Sequence, residues 1–425
     1  MLDSALAEER MVDLSGVISS GDEDEKGLWV RLAAAKAKGE HCDGDADIRR
    51  HMTTAYAARD MLEILKRLPD PSRSRSERNI PQLKFLGLSY GTMVGQTFAS
   101  LYPEHVSRMV LDGTGDAKDW VAKWQIQHLI DTDTVWASFY DGFFEAKEAC
   151  PMWRTDDSNS TDIENRMTLF LEKLKLSPLY TVSGGNARLI TYRDVKLAMY
   201  WTTMAPGFAA PVMATILDGL MRGDINVTLD FPFESVPTAS SILDMEGQEG
   251  LASSNADAGT AVNCGDAEDI TNSSLADFKE YLSDLESQSS VGAFFQGERK
   301  SRCLGWQVRP AWRFTGPFTS KTDKGDSTLS TPILFIGNRL DPMTSLRNAR
   351  KIVDDFPGSV VLEQDARGHC ALGNVVPSLS TLKYLRDYLR DGSLPEPGSV
   401  CGEDCNLFDG SCFREGELSK AIIFG

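Results

Sequence analysis

The stretch Phe85-Leu86-Gly87-Leu88-Ser89-Tyr90-Gly91-Thr92 decides how the rest of the chain is read. Leu83 to Leu86 has the apolar character of a strand, and Met93 to Leu101 can run on as a helix. Between them a serine stands flanked by Gly87 and Gly91, the G-x-S-x-G pattern of a nucleophile elbow. The pattern has a steric cause. A serine at a sharp strand-to-helix turn takes strained backbone angles, and neighbouring side chains larger than hydrogen would clash there. The turn lifts the hydroxyl above the sheet, and the helix behind it offers backbone N–H groups, that of Tyr90 first, to a developing oxyanion. Chance matches to so short a pattern are common; the flanking strand and helix single this one out.

A serine nucleophile needs a base, and the base needs an orienting acid. Of the histidines His41, His51, His105, His128 and His369, only the last follows a strand late in the chain, in Asp365-Ala366-Arg367-Gly368-His369-Cys370. Asp341 follows the strand Ile333–Ile336, in Gly337-Asn338-Arg339-Leu340-Asp341-Pro342. Both sit at C-terminal strand ends, where open α/β sheets gather their active sites. The order Ser89, Asp341, His369 is the serine–acid–histidine order of α/β-hydrolases. Taken singly, Asp341 also reads as a cap for the helix beginning near Ser345, and His369 as a surface loop residue. Order and placement together favour a triad. Asn338 is an amide and cannot serve as the acid. Asp365 is the other candidate, ranked second because it lies so near the histidine in sequence.

The expected architecture is an α/β core split by a helical insertion. Residues 1–115 form the first part of the core. They hold a short helical candidate from Gly27 to Lys38 and a clearer helix from Thr54 to about Leu68. Thr53 or Thr54 can cap that helix, and Met61, Leu62, Leu65 and Leu68 line one face. The elbow and a short buried strand at Met109–Leu111 follow, closed by the turn signal Asp112-Gly113. Residues 116–322 read as helical segments between polar loops, a cap or lid by position. Their aromatic-rich run from Trp120 to Ala146 is expected mainly in core contacts, Ser235 to Asp266 as a partly mobile stretch, and Asp277 to Leu285 as a short helix. Residues 323–425 return to the α/β rhythm, with strands at Thr331–Gly337 and Val360–Glu363 and helices at Ser345–Phe356 and Ser378–Leu389.

Composition narrows the function. At 425 residues, with 25% charged and 41% hydrophobic residues, the chain can bury a large globular core. A net charge of −18 argues against nucleic acid or anionic membranes as partners and leaves open a preference for cationic substrates. The uncharged run Leu197–Leu217 contains Pro206, Gly207 and Pro211, and so reads as an internal apolar wall rather than a membrane span. The first residues show no basic segment followed by an apolar one, the mark of a signal peptide. Eight cysteines and sequons at Asn159, Asn226 and Asn272 nevertheless lean towards an oxidising compartment, with disulfides and buried free thiols both open. Cys401-Gly402-Glu403-Asp404-Cys405 with Cys412 lacks zinc spacing, and no Gly-rich phosphate loop follows a strand. Neither metal nor cofactor is expected.

Thr54-Ala55-Tyr56-Ala57-Ala58-Arg59-Asp60-Met61, Gly87 to Thr92, and Tyr102-Pro103-Glu104-His105-Val106-Ser107-Arg108-Met109-Val110-Leu111-Asp112-Gly113 resemble the tripeptidyl aminopeptidase and prolyl iminopeptidase branch of the α/β-hydrolases. The block from Thr331 to Leu389 looks like that family's TAP-like domain, and Cys264 and Cys303-Leu304-Gly305-Trp306 match its paired cap cysteines. The similarity covers most of the chain from about Cys42. It implies a secreted serine hydrolase that removes single residues or short peptides from free N-termini, with a small molecule or short peptide as substrate. Fungal relatives also occur as accessory hydrolases of secondary metabolism. The family normally places several strands and an N-P-G-G-P-G-type loop before the elbow, and that loop supplies the oxyanion donor opposite Tyr90 N–H. No such stretch stands before Leu83. The expectation is therefore a partial α/β-hydrolase fold with the elbow strand as an exposed edge. A truncated gene model, a non-catalytic homologue and a rebuilt site all account for this; the sequons and family cysteines favour truncation. An esterase or thioesterase, or a non-catalytic binding protein, stands behind the aminopeptidase reading.

Overall fold

In the computed structural model the described residues are 17–21, 25–43, 48–68, 81–122, 124–183, 186–224, 251–373 and 378–404. The strands are β1 (Leu83–Leu88), β2 (Val106–Asp112), β3 (Leu179–Ser183), β4 (Asn186–Ile190), β5 (Leu334–Leu340), β6 (Val360–Arg367) and β7 (Val400–Gly402). The helices are α1 (Glu25–Asp43), α2 (Thr54–Arg67), α3 (Tyr90–Leu101), α4 (Ala117–Ala122), α5 (Thr132–Ala146), α6 (Ser160–Leu176) and α7 (Tyr192–Met204). They continue with α8 (Pro206–Met221), α9 (Leu251–Asp266), α10 (Leu275–Glu286), α11 (Ala293–Ser301), α12 (Leu346–Ile352) and α13 (Leu379–Asp391).

The central sheet has the order β1-β2-β5-β6-β7, every neighbouring pair parallel. Alternation along β2 explains why both faces are covered. Met109 and Leu111 point into one layer with Ala58 and Leu62 of α2, Phe98 of α3 and Ile352 of α12. Val110 points the other way, joining Leu334, Ile336 and Leu362 under Tyr388 of α13. Tyr388 also ties that face down, because its hydroxyl donates to Pro332 O at 2.7 Å and accepts Met109 N–H at 3.0 Å. Among the described residues β1 forms the sheet's edge, as the sequence led us to expect. Leu86 is 44% exposed and Lys84 is exposed beside it.

The inserted segment packs its own core. Trp136, Phe139 and Phe143 of α5, Met199 and Tyr200 of α7, Met213 and Leu217 of α8, and Phe278 and Leu282 of α10 share one buried cluster. Most of the run Leu197–Leu217 is thus internal, with Val212 and Thr215 exposed, and among the described residues no helix is long and apolar enough to cross a membrane. Three features depart from expectation. First, α1 packs on these helices rather than on the sheet. Leu28 and Cys42 join their cluster, Arg31 pairs with Glu298 at 3.0 Å, and the backbones touch where a Cβ on Gly39 would lie 1.6 Å from Gly305 O. Second, part of the stretch expected to be mobile is the helix α9, tied to the end of α11 by a Cys264–Cys303 disulfide that matches the family pairing. Residues 235–250 lie outside the described residues. Third, Leu179-Tyr180-Thr181-Val182 and Arg188-Leu189-Ile190 pair as an antiparallel hairpin, not as helix.

Candidate active site

The elbow forms as its sequence requires. β1 ends at Leu88 and α3 begins at Tyr90, so the whole turn falls on Ser89, which takes φ 52° and ψ −119°. This left-handed strain is held by neighbours: Ser89 N–H donates to Asp112 O at 3.0 Å, and Ser89 O accepts Thr92 N–H and Thr92 Oγ1–H at 2.8 and 2.6 Å. The two glycines are not equivalent. A Cβ on Gly87 would stand 2.5 Å from Gly91 O, whereas one on Gly91 would meet no described atom within 4 Å. Only Gly87 answers to the steric argument.

The three sequence-predicted residues meet above the C-terminal ends of β1, β5 and β6. Ser89 Oγ lies 2.7 Å from His369 Nε2, and His369 Nδ1 lies 3.0 and 3.2 Å from the two oxygens of Asp341. Asp341 is fully buried and saturated. Met343 N–H and Thr344 N–H donate to Oδ1, and Thr344 Oγ1–H and Cys370 N–H donate to Oδ2, all within 2.9 Å. Burial by itself would push the Asp341 carboxyl up; His369 and these donors outweigh it and hold the group below the usual range. Burial likewise pulls His369 down, and the charge and hydrogen bond of Asp341 overcome it, leaving the imidazole raised. With Asp341 ionised, Nδ1 carries the proton and Nε2 is free to accept the serine hydroxyl.

Several supporting residues were not singled out from sequence. Asn338, set aside as an acid, is buried and donates from Nδ2 to Gly368 O and Cys370 O at 2.8 and 3.0 Å, clamping the histidine loop. Asp112, read only as part of a turn, accepts Ala371 N–H and Leu372 N–H at 2.9 and 2.7 Å. Asp365, the alternative acid, points to solvent and pairs with Arg339 at 2.8 Å. From the cap, Met204 O at the end of α7 accepts His369 N–H at 2.9 Å. Tyr90 opens α3, so its N–H has no partner within the helix. Its ring packs 5.6 Å from that of Trp120, and its hydroxyl lies 2.8 Å from Thr54 Oγ1. Among the described residues no strand lies beyond β1, the side from which the family resemblance brings the second donor. Asp341, His369 and Cys370 also place three ligand-type atoms within 4.8 Å of one another. All three are engaged by the hydrogen bonds of the triad and by Cys370 Sγ–H to Asp112 O, so the donor set fits proton transfer better than a metal.

Two family models match the chain. One, described as the alpha/beta hydrolase fold, covers residues 38–169 and so includes the elbow. The other, described as TAP-like protein, covers residues 288–401 and includes Asp341 and His369. The chain has the α/β-hydrolase fold. A tripeptidyl aminopeptidase of Streptomyces lividans is 26% identical to it over 367 residues, 85% of this chain and 60% of the relative. The serine protease Hip1 of Mycobacterium tuberculosis is 22% identical over 369 residues, 83% of this chain and 62% of the relative. The chain therefore spans about three-fifths of the length of the curated relatives it matches.

Proposed function

We propose that this chain is a serine hydrolase that cleaves amide bonds, an aminopeptidase acting on short peptides with free N-termini. The observation that carries the reading is the continuous hydrogen-bonded line Ser89 Oγ–His369 Nε2 at 2.7 Å and His369 Nδ1–Asp341 Oδ1 at 3.0 Å. As the Ser89 oxygen attacks the substrate carbonyl, its proton passes to His369 Nε2, and buried Asp341 stabilises the imidazolium. The carbonyl oxygen, now carrying the negative charge, faces Tyr90 N–H. His369 then gives its proton to the departing amine, leaving an acyl ester on Ser89. Water then attacks the acyl ester as it loses a proton to His369, and His369 returns that proton to Ser89 Oγ as the ester bond breaks and the acid leaves. The similarity to a tripeptidyl aminopeptidase supports the choice of peptide over ester.

A fluorophosphonate probe tests the nucleophile: the folded protein should be labelled on Ser89, and the Ser89→Ala variant should not. Equal labelling of both sinks the assignment. Peptidyl amide substrates with free and acetylated N-termini test the specificity. Equal turnover of the two would leave a serine hydrolase that is not an aminopeptidase.

A further inference from the structure

Helix α11 carries two neighbouring charged residues with opposite fates. Glu298 is buried and fully paired, accepting Arg31 Nη2 at 3.0 Å and Arg193 Nε and Nη2 at 3.1 and 2.9 Å. Arg299, the next residue, has no carboxylate partner among the described residues. Its guanidinium reaches only amide oxygens: Gln296 Oε1 at 3.2 Å, and Gln125 Oε1 and Asn263 Oδ1 at 3.4 Å. These are long contacts to neutral acceptors, and they leave donors of the five-pronged fork uncommitted. The protein surrounds Arg299, and burial pulls its guanidinium below the usual value; the side chain nevertheless keeps accessible surface, as His369 does at the triad. Its guanidinium is therefore not sealed into the core.

A run of packed residues connects Arg299 to the nucleophile. Met204 at the end of α7 touches the histidine loop, and Tyr200 lies one helical turn before it. The Tyr200 ring packs 4.7 Å from Phe295 of α11, and Arg299 lies one turn beyond Phe295. Each turn advances about 5–6 Å, so the cation stands within the reach of a short peptide bound at Ser89. Two more polar groups are stranded along the way. Tyr200 Oη and His128 Nε2 are buried without hydrogen-bond partners among the described residues, and both residues lie within electrostatic reach of Arg299 and of Asp341. Gln125, which meets Arg299, sits with Trp124 in consecutive left-handed backbone conformations, φ 59° and 57°. Strain of this kind persists only where the surroundings enforce it.

A buried cation without a counter-ion costs stability unless a ligand supplies the missing charge. We infer that Arg299 receives a carboxylate of the substrate, with Tyr200 and His128 completing the subsite. The inference rests on the proposed peptidase reading and adds a requirement to it: the peptide must carry a negative charge at its C-terminus or on an acidic side chain. The chain's net charge of −18 does not oppose this, because salt screens surface charges that lie more than a Debye length away.

The test is protection of Ser89 from fluorophosphonate labelling by three peptides: trialanine, its C-terminal amide, and alanyl-glutamyl-alanine amide. At least one carboxylate peptide should protect at about tenfold lower concentration than the neutral amide, the effect of a charge-assisted hydrogen bond. Which one does so tells a terminal carboxylate from a side-chain one. Arg299→Gln should abolish the difference, and Arg299→Lys should keep part of it. Three peptides that protect alike in the wild type overturn the inference, as does a preference that survives in Arg299→Gln. The melting temperature provides a second reading. Removing a cation that awaits a ligand should leave the free protein as stable as before or more so; a fall of several degrees, or failure to fold, marks a structural arginine and overturns the subsite. Absence of any labelling at Ser89 removes the peptidase reading first, and the inference with it.

Discussion

The carboxylate of Asp112 accepts the backbone N–H of Leu372 at 2.7 Å, and the same group takes Ala371 N–H at 2.9 Å. A second buried acid thus holds the segment just after His369, while Asp341 holds the ring. Burial first, and the nearby Asp341 charge, raise the Asp112 carboxyl to about 6 against the two N–H donors. Asp112→Asn keeps one acceptor oxygen but turns an NH₂ group towards one of the two N–H groups. The expected outcome is a loss of about 1–3 kcal/mol of stability and a fall in kcat with little change in KM, because the histidine loop loosens. The sign of the pH dependence follows from linkage. A carboxyl whose folded value is raised from 3.8 to about 6 contributes stability below 3.8 and loses it as pH rises through about 6. The lead of the wild type over Asp112→Asn should therefore narrow across that window in denaturant melts. A lead that widens contradicts it.

In the proposed mechanism the Asp341–His369 pair sets the acid limb of activity. Burial lowers the imidazole, but the charge and hydrogen bond of Asp341 raise it above 6.5 overall. The midpoint of the acid limb of kcat/KM should accordingly lie above 6.5. In Asp341→Asn burial is opposed only by the weaker pull of the Asp112 charge, so the His369 titration followed by NMR should move down, and kcat should fall by about ten-thousandfold through loss of the correct tautomer. An unmoved titration would detach Asp341 from the histidine.

Local chemistry made the elbow legible, because Gly87, Ser89 and their flanks are contiguous and the strained turn leaves few alternatives. Asp341 and His369 were legible for a different reason: each follows directly on an apolar strand, and parallel strands bring their C-terminal ends together. The strand before Asp341 runs over Leu334–Leu340 and not from Thr331, since Pro332 has no N–H for the ladder and its carbonyl serves Tyr388 instead. Residues whose role exists only through tertiary contact were not legible. Asp112 looks like any Asp-Gly turn until residues 371 and 372 arrive, and Thr344 looks like a loop residue until its hydroxyl meets Asp341. The hairpin at Leu179–Ile190 did carry a signal, β-branched and aromatic residues around Gly184-Gly185, which the helical rhythm of its neighbours obscured. The placement of α1 carried little signal, because its buried positions Leu28, Arg31, Ala34, Ala35, Gly39 and Cys42 lie at helical spacing but are mostly small, with a charge among them.

The unequal glycines of the elbow make a paired prediction. In Gly87→Ala the new methyl meets Gly91 O at 2.5 Å and Phe85 Cε1 at 2.6 Å, and the obstruction at Gly91 is backbone. The elbow must open, so soluble yield should drop and fluorophosphonate labelling of Ser89 should be lost. Gly91→Ala adds a methyl to a helical residue where no described atom lies within 4 Å. It should label as the wild type does and melt at the same or a higher temperature, by up to about 1 kcal/mol of helix propensity. Equal damage from both substitutions would mean that Gly91 faces something other than open space.

The disulfide and the active site are linked through Asp266, two residues after Cys264 in sequence. Asp266 accepts Thr54 N–H at 2.8 Å, Thr54 Oγ1–H at 2.5 Å and Trp120 Nε1–H at 3.0 Å. Thr54 and Trp120 are also the residues that contact the side chain of Tyr90, next to the nucleophile. The end of α9 therefore fastens the cap to the core beside Tyr90. The Cys264–Cys303 bridge closes a loop of 39 residues, worth about 4 kcal/mol of chain entropy. Replacing both cysteines by serine should lower the melting temperature and, with α9 released, slow labelling of Ser89 even at temperatures where the protein stays folded. Asp266→Asn should reproduce the slower labelling with the bridge intact, because an amide cannot accept all three donors equally. If the cysteine variant loses stability but labels at the wild-type rate, the bridge supports the cap alone and the fastening at Tyr90 is independent of it.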